Sequence, residues 1–144
     1  MNEDIFTHFT KTVDDYDTVA DKVVLKNDEL HQQIVDAISG SPSSILDLGS
    51  GTGHGMKLLL EKFSSCNVTG IDFSPKMISQ STMFLKEFSG RFKLVKGNFC
   101  EITFQGTYDV IVSAVAIHNI SHKQKEKLFA KIFSALKPGG IFIN

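Results

Sequence analysis

An α/β fold with a doubly wound, mostly parallel sheet is predicted for this chain by three observations. Short apolar runs of strand length alternate five times with amphipathic helical stretches, and the connections between them are short. One run, Tyr108 to Ile117, opens as a near-continuous apolar segment, as a strand covered on both faces does. The first run, Ser44 to Leu48, passes straight into glycines at 49, 51, 53 and 55, and such sheets bind ligands beyond the carboxyl ends of their strands.

The elements follow in order. Residues 1–27 are polar with scattered aromatics, Phe6, Phe9 and Tyr16, and read as a short helix or flap ahead of a domain spanning 28–144. Asp28 is expected to cap a helix that places Leu30, Ile34, Ala37 and Ile38 on one face and stops at Gly40. After the strand at 44–48, Met56, Leu59, Leu60 and Phe63 repeat at helical spacing. Asn67 to Asp72 reads as a second strand. Ser74 followed by Pro75 is a helix start, a capping hydroxyl with proline at the first helical position. That helix is expected to present Met77, Ile78, Phe84, Leu85 and Phe88 before Gly90. A third strand alternates Phe92 and Leu94 against Lys93 and Lys96, and Tyr108 begins the fourth. Ser121 can cap a last helix with Leu128, Phe129, Ile132, Phe133 and Leu136 facing inward; KPGG (137–140) is expected to end it, and IFIN (141–144) to begin a fifth strand.

Bulk properties narrow the function. At 144 residues the chain suits one domain with a real core, and 42% hydrophobic with 22% charged residues is ordinary for a globular protein. A net charge of -1 with interspersed signs gives no electrostatic case for nucleic acid or a membrane surface. No apolar run approaches the roughly 20 residues that span a bilayer, and the acidic start lacks a signal-peptide pattern, so a cytoplasmic protein is expected. Cys66 and Cys100 share no metal-ligand spacing and read as reduced core thiols. The lysines at 123, 125, 127 and 131 read as the solvated face of the last helix.

Asp47 raises the functional question. A carboxylate inside an apolar strand, beside a loop almost without side chains, is costly unless something meets it. Glycines at 49, 51 and 53 let the backbone turn sharply and approach a ligand closely, and the helix that follows directs free amides to the same place. A dinucleotide fingerprint, G-x-G-x-x-G, fails in both registers, because the third glycine falls on His54 or on Met56. A pyrophosphate would also be repelled by Asp47. A ligand carrying positive charge would be attracted.

ILDLGSGTGHG (45–55) resembles the first motif of class I S-adenosyl-L-methionine-dependent methyltransferases. VTGIDFSPKMI (68–78) resembles the second, with Asp72 standing 19 residues after Gly53. VKGNFCEI (95–102) occupies the third, with Asn98 where the family most often has aspartate. YDVIVSAVAIHNI (108–120) resembles the fourth, and LKPGGIFI (136–143) the turn into the strand that follows. The resemblance runs in order over residues 44–144 and implies the Rossmann-like methyltransferase fold, with S-adenosyl-L-methionine as cofactor; since no basic patch points to nucleic acid, a small molecule is the expected methyl acceptor.

The same resemblance implies the site. Asp47, Gly49, Ser50, Gly51 and Gly53 would meet the cofactor's charged end, and Asp72 its ribose hydroxyls. Asn98 would face the adenine edge, with Phe73 and Phe99 stacking on the ring or else packing in the core. Ser113 would offer a backbone carbonyl, and Tyr16 would belong to a flap over the cofactor or else to an exposed helix. His118 is the candidate base, with support of its loop as the alternative. Methyl transfer is an in-line displacement on an activated donor, so the protein mainly positions the reactants. A non-catalytic binding module stands as the alternative function. The family continues beyond the fifth strand with a helix and an antiparallel strand pair, whereas this sequence stops within strand five. The expectation is therefore a truncated sheet, either a piece of a longer protein or an open edge that pairs with a second copy through residues 141–144.

Overall fold

The structure, a computed structural model, describes residues 27–144. Within them lie α1 (Asn27–Ala37), β1 (Ser44–Leu48), α2 (His54–Lys62), β2 (Asn67–Asp72), α3 (Pro75–Phe84), β3 (Phe92–Lys96), β4 (Tyr108–Val112), α4 (His122–Ala135) and β5 (Leu136–Ile143). The five strands form one sheet in the order β3-β2-β1-β4-β5, with every pairing parallel. The chain steps outward from β1 to β3, then returns to the other side of β1 with β4. That reversal lies between β1 and β4, where an open α/β sheet parts at its carboxyl edge into a crevice.

Alternation along the strands divides the core in two. Ile45, Val68, Val110 and Val112 pack with Ile34, Val35, Met56, Leu59 and Leu60 of α1 and α2 on one face. Leu46, Leu48, Ile71 and Ile111 pack with Leu128, Ile132 and Ala135 of α4 on the other. Burying two sheet faces under helices is the main stabilising contribution in a chain this size. Asp47 and Asp72 share the α1/α2 face, because Asp47 pairs with Gly70, two residues before Asp72 on β2.

Local chemistry explains the boundaries. The Ser74 hydroxyl accepts from the Met77 amide at 3.4 Å, with Pro75 at the first position of α3. Ser121 and Gln124 form a reciprocal capping box at the start of α4. Arg91 donates to the carbonyls of Leu60, Phe63 and Cys66, closing the end of α2 and its exit loop.

Four expectations need correction. Asp28 lies inside the first turn of α1 and its carboxylate pairs with His54 at 2.9 Å, so it is not the cap. Ala37 is exposed, and Val35 takes its place in the core. Phe84, Phe129 and Phe133 do not face inward: they are 42%, 44% and 82% exposed. Residues 137–140 do not separate α4 from β5, because β5 already begins at Leu136 and absorbs them in a register shift against Tyr108 and Val110 of β4. Residues 1–26, with Phe6, Phe9 and Tyr16, lie outside the described residues.

Candidate functional site

The carboxyl ends of β1, β2 and β4 converge on the glycine loop. Gly49, Gly51 and Gly53 all hold left-handed conformations, with φ of 77°, 54° and 89°. Only glycine enters that region without steric cost. The loop is tied down from beneath by the amides of Gly49 and Ser50, which donate to the Ile71 carbonyl at 2.8 and 3.1 Å. A β-carbon on Gly49 would lie 2.5 Å from the Ala116 methyl and 3.7 Å from the Phe99 ring. The glycine loop, the loop after β3 and the turn after β4 therefore meet at Gly49. Val115 in that turn has φ of 62°, a strained value for a β-branched residue and of the kind that gathers at functional loops.

Two buried carboxylates give the site its electrostatics. Burial, reinforced by the nearby charge of Asp72, pushes the Asp47 carboxyl up to about 7. Burial also raises Asp72, against the lowering effect of two amides that donate to it, Ser74 to Oδ1 and Gly51 to Oδ2, each at 2.9 Å. Among the described residues no lysine or arginine forms an ion pair with either acid. A positive charge brought beside such a pair would stabilise its ionised form. Asp72 also keeps acceptor capacity beyond its two amides, since a carboxylate offers about four lone-pair sites.

The other expected residues occupy varied places. The Ser50 side chain is buried over Gly70, and its hydroxyl is without a hydrogen-bond partner among the described residues. Asn98 sits in the loop after β3: its Oδ1 accepts from the Cys100 amide at 2.9 Å and its Nδ2 donates to Glu101 at 3.1 Å. Phe99 is half-buried beside Gly49, and Phe73 is half-buried at the end of β2. Ser113 is fully buried at the tip of β4; its hydroxyl donates to the Leu48 carbonyl at 3.1 Å and its amide to the Ile143 carbonyl at 3.0 Å, which ties β4 to both neighbours and leaves the carbonyl as its group for a ligand. His118 lies exposed in a single 3-10 turn, Ile117–Asn119, after β4.

The sequence reading missed two histidines. The His31 ring packs where a β-carbon on Gly55 would meet it at 2.8 Å, and His31 lines a cavity of about 10 Å³ with Asp47, Gly55, Val112 and Ala114. His54 stands edge-on to His31 at 5.6 Å and stacks on Phe84 at 6.4 Å. No local pattern announces these contacts, since they arise where α2 meets α1 and α3.

Residues 45–140 match the model of a family described as methyltransferase domain. The chain belongs to that methyltransferase family. It is similar to the carboxy-S-adenosyl-L-methionine synthase of Nautilia profundicola, with 30% identity over 82% of this chain and 50% of that protein. It is equally similar, at 30% identity, to the malonyl-[acyl-carrier protein] O-methyltransferase of Priestia megaterium, over 94% of this chain and 47% of that one. The chain thus spans about half the length of these curated relatives. Its fold matches human N-acetylserotonin methyltransferase in complex with SAM, with a TM-score of 0.75 at 20% identity, over 98% of this chain and 41% of that chain. The doubly wound sheet is the class I, Rossmann-like methyltransferase fold.

The two acids and the bare loop fit the cofactor that this fold implies. S-adenosyl-L-methionine carries an ammonium and a sulfonium and no phosphate, which suits buried carboxylates as a pyrophosphate would not. Gly49 and Gly51 present backbone without β-carbons at the same point.

Proposed function

We propose that the chain binds S-adenosyl-L-methionine and, as the cofactor domain of a methyltransferase, transfers its methyl group to a small molecule. The observation that carries this reading is the placement of Asp47 and Asp72. They are buried on one face at the tips of adjacent strands, where the charge of Asp72 disfavours that of Asp47, beside a left-handed glycine loop. Asp47 would face the cationic end of the cofactor and Asp72 the ribose hydroxyls. Asn98 would face the adenine edge. When bound, the cofactor supplies an activated methyl group; the chain's residues bind, orient and exclude water around it. His118, exposed after β4, would take a proton only from an acceptor that must lose one.

Isothermal titration with S-adenosyl-L-methionine, S-adenosylhomocysteine and NAD tests the binding. The first two are expected to bind and NAD not to. Tight NAD binding, or no binding of the adenosyl compounds, overturns the reading. Transfer of labelled methyl to added acceptors separates an enzyme from a binding module.

We also propose that two copies pair through residues 141–144. β5 borders the described sheet, its Ile141 is exposed, and exposed Phe129 of α4 lies 6.0 Å from Phe142 of β5. Open, apolar strand edges recruit further strands. Sedimentation is expected to show a concentration-dependent dimer that Ile141→Lys abolishes. A monomer at high concentration removes the proposal.

A further inference from the structure

We infer that Lys131, on α4, is a positioning residue that fixes the adenine-facing turn from the sheet face opposite Asp47 and Asp72 and so sets the site's preference for that base. The inference rests on the reading that Asn98 and Phe99 face the adenine. Residues 98–102 form one isolated turn, in which the amides of Glu101 and Ile102 both donate to the Asn98 carbonyl, at 2.9 and 3.0 Å. No helix continues from it, so its later carbonyls need donors from elsewhere. Lys131 Nζ supplies them, donating to the carbonyls of Phe99 and of Ile102, the latter at 2.8 Å. The same ammonium lies 4.5 Å from the centre of the Phe104 ring. These contacts all fall on residues 99–104, so Lys131 is no part of the solvated stripe expected for α4. Lys123 and Lys127 are exposed, whereas Lys131 is half-buried.

Geometry makes this more than a packing contact. Phe99 lies between the ammonium, which holds its carbonyl, and the glycine loop, whose Gly49 faces its ring. Asn98 is the preceding residue, and its side chain is locked into the same turn by Cys100 and Glu101. A shift of the Phe99 carbonyl would move both groups proposed to meet the base. It would leave Asp47 and Asp72, on the other strands, where they are. A charge-assisted donor with two acceptors suits such a task, since hydrogen bonds to ionised groups are the stronger ones.

The test compares S-adenosylhomocysteine with S-inosylhomocysteine, in which the purine 6-amino donor becomes a 6-oxo acceptor and N1 changes from acceptor to donor. The wild-type protein is expected to prefer the adenosyl compound. Lys131→Met is expected to weaken S-adenosylhomocysteine binding about tenfold and S-inosylhomocysteine binding by less than about twofold, so the preference collapses. Lys131→Arg is expected to restore most of it. If Lys131→Met does not fold by circular dichroism, Lys131→Gln, which keeps a neutral amide donor group and loses the charge, is expected to lose an intermediate share of the preference. Equal loss for both ligands, or no loss, overturns the inference. Asn98→Ala is measured in parallel. If it collapses the preference while Lys131→Met does not, Lys131 alone is removed. If neither does, or if the wild type binds both ligands equally, the adenine reading falls and this inference with it.

Discussion

Replacing Asp47 with asparagine is expected to make the ligand-free protein more stable at pH 8 while weakening S-adenosylhomocysteine binding by about 10- to 100-fold. The reason is that burial and the charge of Asp72 push the Asp47 carboxyl from 3.8 up to about 7. Between those values the folded protein holds a proton that the unfolded chain has released. Stability is therefore full below about pH 4, falls as the pH rises toward 7, and stays low above it. The loss is on the order of 4 kcal/mol at most. Urea unfolding between pH 4 and 8 should show this decline in the wild type and a much flatter profile in Asp47→Asn. Binding should show the mirror image. A cation brought beside Asp47 favours the ionised form, so binding near pH 6–7 should release a proton, and affinity should rise as the pH rises through that range. Calorimetry in buffers of differing ionisation enthalpy reads that proton, and the variant should not release it. An Asp47→Asn protein less stable than the wild type at pH 8 would refute the account.

Much of this architecture is written locally. Ser44–Leu48 and Asn67–Asp72 are strands at the residues their apolar runs predict, since strands covered on both faces read as short apolar runs bounded by turn residues. The caps at Ser74 and Ser121 are equally local, because each needs only its own hydroxyl and an amide three residues on. What escaped the sequence depends on partners far along the chain. Helical periodicity puts Phe129 and Phe133 on the same stripe as Leu128 and Ile132, but cannot say how wide a strip the sheet covers. Lys131 belongs to a stripe of lysines by spacing and to the loop after β3 by contact. Asp28 looks like a cap until His54, 26 positions later, claims its carboxylate. That Asp47 is a carboxylate within a buried strand was legible, because apolar residues flank it on both sides. The effect of Asp72 on it was not, since it follows from Asp47 pairing with Gly70 across the sheet.

Asp72→Ala should weaken S-adenosylhomocysteine binding by a few kcal/mol at most, through lost charge-assisted hydrogen bonds. The same side chain also accepts from the amides of Gly51 and Ser74, which hold the glycine loop and the start of α3. Alanine would leave both amides without that acceptor, a cost of about 1–3 kcal/mol for each one that stays buried. Relief of Asp47 offsets part of this, because the charge of Asp72 is one of the causes that raise it. Asp72→Asn separates the roles, since it keeps one acceptor oxygen and removes the charge. Its unfolding free energy at pH 8 should lie nearer the wild type's than alanine's does, while its binding should remain weak. Ligand chemistry supplies the other half of the cycle. Against S-adenosylhomocysteine lacking the ribose 2′-hydroxyl, wild type and Asp72→Ala should differ less than they do against the parent compound. A loss of equal size for both ligands would mean that Asp72 acts only by holding the loop, and unchanged affinity for the parent would remove it from the site.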